Sequence, residues 1–146
     1  MINHNIVLNG AYLRKDTVGQ LNFSNGFPFS RGYTAENLHE MIKWGVNYHL
    51  PLLYPDAGFA NIFYLSRVRG NLFYDHTHVN DFFSNVTRFT ANFRSTGAEI
   101  FFDTKWWNEA EVSFGIRYSY LLDDDLFGGI KKYRWELILP VNLLKQ

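Results

Sequence analysis

Apolar and polar positions alternate with a period of two along much of this chain, as in strands with one apolar flank. In residues 111–122 the even positions are Val112, Phe114, Ile116, Tyr118, Tyr120 and Leu122, and the odd ones are Glu111, Ser113, Gly115, Arg117, Ser119 and Leu121. Residues 41–52 set Ile42, Trp44, Val46, Tyr48 and Leu50 against Lys43, Gly45, Asn47 and His49. Residues 61–75 set Ile62, Tyr64, Val68, Leu72 and Tyr74 against Arg67, Arg69, Asn71 and Asp75. In shorter stretches Ala98, Ile100 and Phe102 oppose Glu99 and Asp103, and Tyr133, Trp135, Leu137 and Leu139 oppose Arg134 and Glu136. A weaker run near the start has Ile6, Leu8 and Tyr12 opposite Asn9. The pattern predicts an all-β, antiparallel protein with strands near residues 5–13, 41–52, 61–75, 96–105, 111–122 and 132–142.

The charges narrow the class. Lys43, Arg67, Arg69, Asp75, Glu99, Asp103, Glu111, Arg117, Arg134 and Glu136 all fall on the polar flank of the five clear windows. Such strictness is expected where the other flank meets lipid, because a Lys or Arg near the bilayer midplane costs about 2–4 kcal/mol. A soluble sandwich alternates too, but its strands centre on roughly 5–6 residues. Several windows here reach the ~9–11 residues that cross a membrane obliquely. The connections predicted between strands run long (14–40), short (53–60), long (76–97), short (105–110), then intermediate (123–132), close to the alternation of external loops and periplasmic turns in outer-membrane barrels. Tyr54-Pro55-Asp56-Ala57-Gly58, Asn108-Glu109 and Gly128-Gly129 supply turn chemistry. Trp106 and Trp107 beside one short turn, and Tyr54 beside another, suit a membrane–water girdle. Pro140 falls at the end of the last predicted strand, where a missing ladder donor is tolerated.

Composition agrees. Aromatic residues make up 18% of the chain, yet mean hydropathy is −0.21, and no run approaches the ~20 apolar residues of a membrane helix. Lys+Arg and Asp+Glu are each 14, so no basic surface points to nucleic acid. The absence of Cys excludes disulfides and thiolate chemistry. The start, Met1-Ile2-Asn3-His4-Asn5, has neither a basic nor an apolar leader region; the expectation is a fragment whose signal lay upstream. Six strands cannot close an ordinary single-chain membrane barrel, since these begin at about eight. All 146 residues are therefore read as part of one larger transmembrane β-barrel domain.

Two motifs then carry a family resemblance. The first long connection holds Phe29-Ser30-Arg31-Gly32-Tyr33, and five predicted strands follow it. This resembles the outer-membrane assembly-factor superfamily of the BamA and TamA type, also called bacterial surface antigens, whose sixth external loop carries Val-Arg-Gly-Phe/Tyr and folds into the lumen. Ser30 departs from the motif; Arg31, Gly32 and Tyr33 match. A second family motif, Phe/Gly-x-Asp-x-Gly, is resembled by Phe73-Tyr74-Asp75-His76-Thr77, with Thr77 in place of Gly. Asn47-Tyr48-His49-Leu50-Pro51-Leu52 and Gly115-Ile116-Arg117-Tyr118-Ser119 are similar to strands after that loop, and residues 52–58 and 67–75 look like surface-antigen barrels of Bacteroidetes. The chain's end, Leu143-Leu144-Lys145-Gln146, lacks the family's terminal aromatic. The resemblance implies a sixteen-stranded barrel of which residues 1–146 are the C-terminal part, an Arg31–Asp75 pair in the lumen, and a non-enzymatic role in inserting or translocating proteins at the bacterial outer membrane. Its implied partners are outer-membrane lipid, client β-strands and upstream periplasmic domains.

Other chemistry is sparse. His76 and His78 form a candidate metal pair without an obvious third ligand, and Asp123-Asp124-Asp125 lacks the spacing of a calcium loop. Arg67, Arg69, Glu99, Asp103, Glu111 and Arg117 are expected to share a hydrated lumen wall. Carboxylates there, or Ser113 or Ser119 with His49 as base, would be needed by a barrel enzyme. No catalytic residue, metal or cofactor is expected. An outer-membrane barrel enzyme or pore, and a soluble β-barrel ligand binder, are the alternative readings.

Overall fold

The computed structural model describes residues 4–15, 26–35, 38–59, 62–83, 87–107, 110–124 and 131–139. They form one antiparallel sheet of seven strands, with no helix among the described residues. The strands are β1 (Asn5–Arg14), β2 (Glu40–Leu53), β3 (Ala57–Phe59), β4 (Phe63–Phe83), β5 (Thr87–Trp106), β6 (Ala110–Leu121) and β7 (Tyr133–Ile138). Their order is β1-β2-β4-β5-β6-β7, with the short β3 paired to β4, and the sheet is not closed. Residues 26–35 lie across one face, here the loop face; the opposite, bare face is uncovered. Asp125, Gly128, Gly129, Asn108, Glu109, Pro140 and residues 143–146 lie outside the described residues.

The largest correction concerns residues 76–97, expected as a long polar loop. Residues 76–83 and 87–97 instead extend β4 and β5, which pair as strands of 21 and 20 residues, roughly 65–70 Å long at ~3.3 Å per residue. His76 and His78 therefore stand on a strand. The pattern hid this because its polarity reverses. Below the pair His76↔Arg94, the bare face carries Leu72, Tyr74, Ala98, Ile100 and Phe102; above it, that face carries His76, His78, Asn80, Thr90, Asn92 and Arg94. The loop face changes the other way, from Asp75, Glu99 and Asp103 below to Val79, Ala91 and Phe93 above. Alternation persists while its sense inverts at one level of the sheet.

A second correction follows from a bulge. The β4–β5 register shifts between Leu65 and Arg67, leaving one extra residue that flips the phase. Leu65 pairs with Thr104 and Phe63 with Trp106, so Phe63 and Leu65, rather than Tyr64, continue the bare face. The Phe63 and Trp106 rings meet edge-on at 5.3 Å. Tyr64 turns the other way and donates to Asp56 Oδ1 at 2.9 Å. The predicted turn at 53–60 also contains β3, paired to β4 through Ala57↔Leu65. The last strand is shorter than expected, ending at Ile138.

The core lies between the loop and the upper loop face. Phe29 and Tyr33 of the loop pack with Met41, Val79, Phe93 and Leu121, and the Phe93 ring contacts both Phe29 and Tyr33 at 5.1 and 5.2 Å between centroids.

Candidate functional site

Arg31 is the centre of the loop face. Its Nε donates to Asp75 Oδ2 at 2.6 Å and Nη2 to Asp75 Oδ1 at 3.0 Å, a bidentate fork. The Arg31 backbone N–H adds a third bond to Asp75 at 3.2 Å. Nη1 reaches Glu99 Oε1 at 3.3 Å and Nη2 reaches Asn47 Oδ1 at 2.7 Å. The guanidinium also lies over the Phe73 ring, 3.8 Å from its centroid, a cation–π contact. One loop residue thus touches β2, β4 and β5. Asp75 is fully buried and has a second cation, Lys43 Nζ, at 3.7 Å.

The neighbours of Arg31 hold the loop. Gly32 has φ +86°, and a Cβ there would stand 2.8 Å from Ser119 Cβ and Leu121 Cδ2; the position needs glycine on both counts. The Tyr33 hydroxyl lies 2.8 Å from the Asp123 carbonyl and 3.0 Å from that of Arg94, which share its single O–H donor, and accepts the Asp123 N–H at 3.1 Å. Lys43 Nζ donates to the Phe29 carbonyl at 3.1 Å. The two departures from the resembled motifs meet each other: Ser30 Oγ lies 2.7 Å from Thr77 Oγ1 and also donates to the Phe93 carbonyl at 2.8 Å. Thr77 sits in regular pairing with Lys43 and Phe93.

Beneath Arg31 the charges form a ladder across the strands. Arg117 donates to Glu99 at 2.6 Å and to Glu136 at 3.2 Å. Asn71 donates to Glu99 Oε2 at 2.7 Å. Lower still, Arg67 and Arg69 both converge on Asp103, at 2.8 and 2.7 Å, and Ser113 Oγ donates to the same carboxylate at 2.6 Å. Glu111 stands apart at the lower rim, exposed and paired with Lys105.

The Ser–His pairing is not assembled. His49 is on β2 and Ser113 and Ser119 are on β6, with β4 and β5 between, a separation of about 14 Å at ~4.8 Å per strand. Among the described residues no group of three or more His, Cys, Asp or Glu is placed to hold a metal; His76 and His78 share Asn92 Oδ1 instead. Sequence reasoning missed Lys43, Asn47 and Thr77 as partners of the loop. Lys43 and Asn47 share the parity of Gly45, which pairs with Asp75, and that parity was the available signal.

Two expected results arise from this geometry. Gly97 pairs with Phe73, and a Cβ at Gly97 would collide with the Tyr118 carbonyl and stand 2.7 Å from Phe73 Cζ. Gly97→Ala should therefore push Phe73 off Arg31 and cost about 1–3 kcal/mol, read as a lower denaturation midpoint. Asp123, above the apolar band, accepts from Arg94 at 2.7 and 2.9 Å, and the Arg94 guanidinium holds its carboxyl below the usual value. A depressed carboxylate stabilises above its unfolded pKa, and that contribution disappears as pH falls through the folded value. The stability gap between wild type and Asp123→Asn should be present at pH 6 and vanish as the solution is acidified below the ordinary aspartate pKa.

Compared with protein-family models, with curated proteins and with solved structures, the chain matches none.

Proposed function

We propose that this chain is part of the wall of an outer-membrane β-barrel of the surface-antigen and assembly-factor type, with the bare face toward lipid, the loop face toward the lumen, and a role in inserting or translocating proteins. One observation carries the membrane reading: the bare face is apolar and uncharged over a band of fixed height, then turns polar at one level across β4 and β5. From Trp106 to Thr96 the band runs ten residue steps along β5, about 33 Å at ~3.3 Å each. At a strand tilt of ~40° that is about 25 Å, the height of the apolar belt in such barrels. Trp106 and Trp107 mark its lower border, and Trp44, in tilted ring contact with Tyr74 and His76 at 5.3 Å from each, marks the upper one, as girdles do. The role in assembly rests on the resemblance of the Arg31 and Asp75 motifs and on the loop's seat on the luminal face. A weakly paired edge of such a wall offers backbone groups to a client strand.

Reconstitution in lipid vesicles tests the membrane reading and the assembly role together. Trp44, Trp106, Trp107 and Trp135 are all exposed or half-buried at the bare face or its border, so brominated acyl chains should quench most of the tryptophan fluorescence. The vesicles should also accelerate insertion of an unfolded β-barrel client. Unquenched emission from a monomer stable in plain buffer refutes the membrane reading. Strong quenching without any effect on the client refutes the assembly role alone.

A further inference from the structure

We infer that the loop face carries a phosphate-binding site centred on Arg67 and Arg69, below the Arg31 ladder. A cavity of about 490 Å³ opens there, bordered by Arg31, Arg67, Arg69, Asn71, Phe101 and Arg117. The charges around it do not balance evenly. Toward the top, Arg31, Lys43 and Arg117 face Asp75, Glu99 and Glu136, three against three. Toward the bottom, a pair of guanidiniums shares one carboxylate, Asp103, so one positive charge is in excess. That excess faces the cavity: the Arg67 and Arg69 side chains are 44% and 39% exposed, while Asp103 is 15% exposed. The bonds to Asp103 engage Nε and Nη2 of each arginine, and a guanidinium carries five N–H donors. The outer edges of both forks are free to take a second oxyanion.

Asn71 lines the same cavity and spends its amide nitrogen on Glu99 and Asn47. A phosphate group fits the excess charge: its terminal oxygens can engage two arginine forks at once, and it can arrive as the free ion or on a glycerophosphate headgroup. A carboxylate brings two oxygens and a single charge. Ser113 Oγ also donates to Asp103 at 2.6 Å, so that one carboxylate already serves three donor side chains.

Calorimetric titration of the purified protein with inorganic phosphate, glycerol 3-phosphate and acetate tests the site. Both phosphates should bind, and acetate at least about tenfold more weakly. Tighter binding of glycerol 3-phosphate assigns the site to a headgroup; equal or tighter binding of inorganic phosphate assigns it to the free ion. Arg69→Gln should weaken phosphate about tenfold and Arg69→Lys less, while Asp103→Asn, which raises the local excess to two charges, should tighten it. That opposition of sign separates a binding role from a structural one, and a thermal melt of each variant checks that it is folded. Absence of phosphate binding by the wild type, acetate binding as tight as phosphate, or weakening by folded Asp103→Asn overturns the site. A protein that partitions into lipid yet binds no phosphate loses the site and keeps the membrane reading; the converse result keeps the site alone.

Discussion

Replacing Asp75 with alanine should destabilise the protein by roughly 3–5 kcal/mol, the range for removing one partner of a buried ion pair. The reason is the company Asp75 keeps. Its carboxylate is fully buried and receives three bonds from Arg31, with Lys43 Nζ 3.7 Å away. Deletion leaves two cations on a half-covered wall with only Glu99 near Arg31. It also removes the acceptor of the Arg31 backbone N–H, so residues 26–35 should detach before the sheet melts. Denaturation in detergent reads the first effect, and faster proteolysis within 26–35 reads the second. Exchanging the two residues, Arg31→Asp with Asp75→Arg, should recover only a fraction of the loss, because the reversed pair would set an acid beside Glu99 and a cation beside Lys43. A loss below about 0.5 kcal/mol for Asp75→Ala, the level of an ordinary surface change, would mean the loop is held by its apolar contacts and the Ser30 and Tyr33 hydrogen bonds without the ion pair.

Ile100→Lys should cost about 2–4 kcal/mol in a bilayer. Ile100 lies mid-band on the bare face, 43% exposed, and pairs with Ile116 and Gly70. In water an exposed isoleucine on a sheet face tolerates lysine within about 0.5 kcal/mol, so the size of the effect discriminates between solvents. Thr90→Lys, on the same face of the same strand but above the polarity reversal, is the matched control and should be nearly neutral. Refolding midpoints in lipid vesicles check the pair. Equal, small effects at both positions would place water against the whole bare face.

The alternation of residues 98–104 and 111–122 was legible because each stretch keeps one phase throughout and contains no bulge. Residues 76–97 were not. Val79, Ala91 and Phe93 point to the same side as Asp75 and Glu99, so the apolar residues change parity, and a rule that expects one apolar flank per strand reads the change as a loop. What rewards apolar groups on the loop face at that level is Phe29 and Tyr33, which arrive from residues more than forty positions away in sequence. Phe63, Leu65 and Tyr64 were misplaced for a local reason: one bulge residue flips every side chain beyond it.

The sequence by itself determined an antiparallel all-β chain and the flank on which the charged residues of its clear windows lie, since these follow from parity. Only the tertiary structure decided how far β4 and β5 extend, why position 32 needs glycine, and which cations other than Arg31 meet which carboxylates. It also decided that Ser30 lies against Thr77. Those depend on where one loop settles on a sheet, and the contacts that hold it join residues whose spacing along the chain carries no periodic signal.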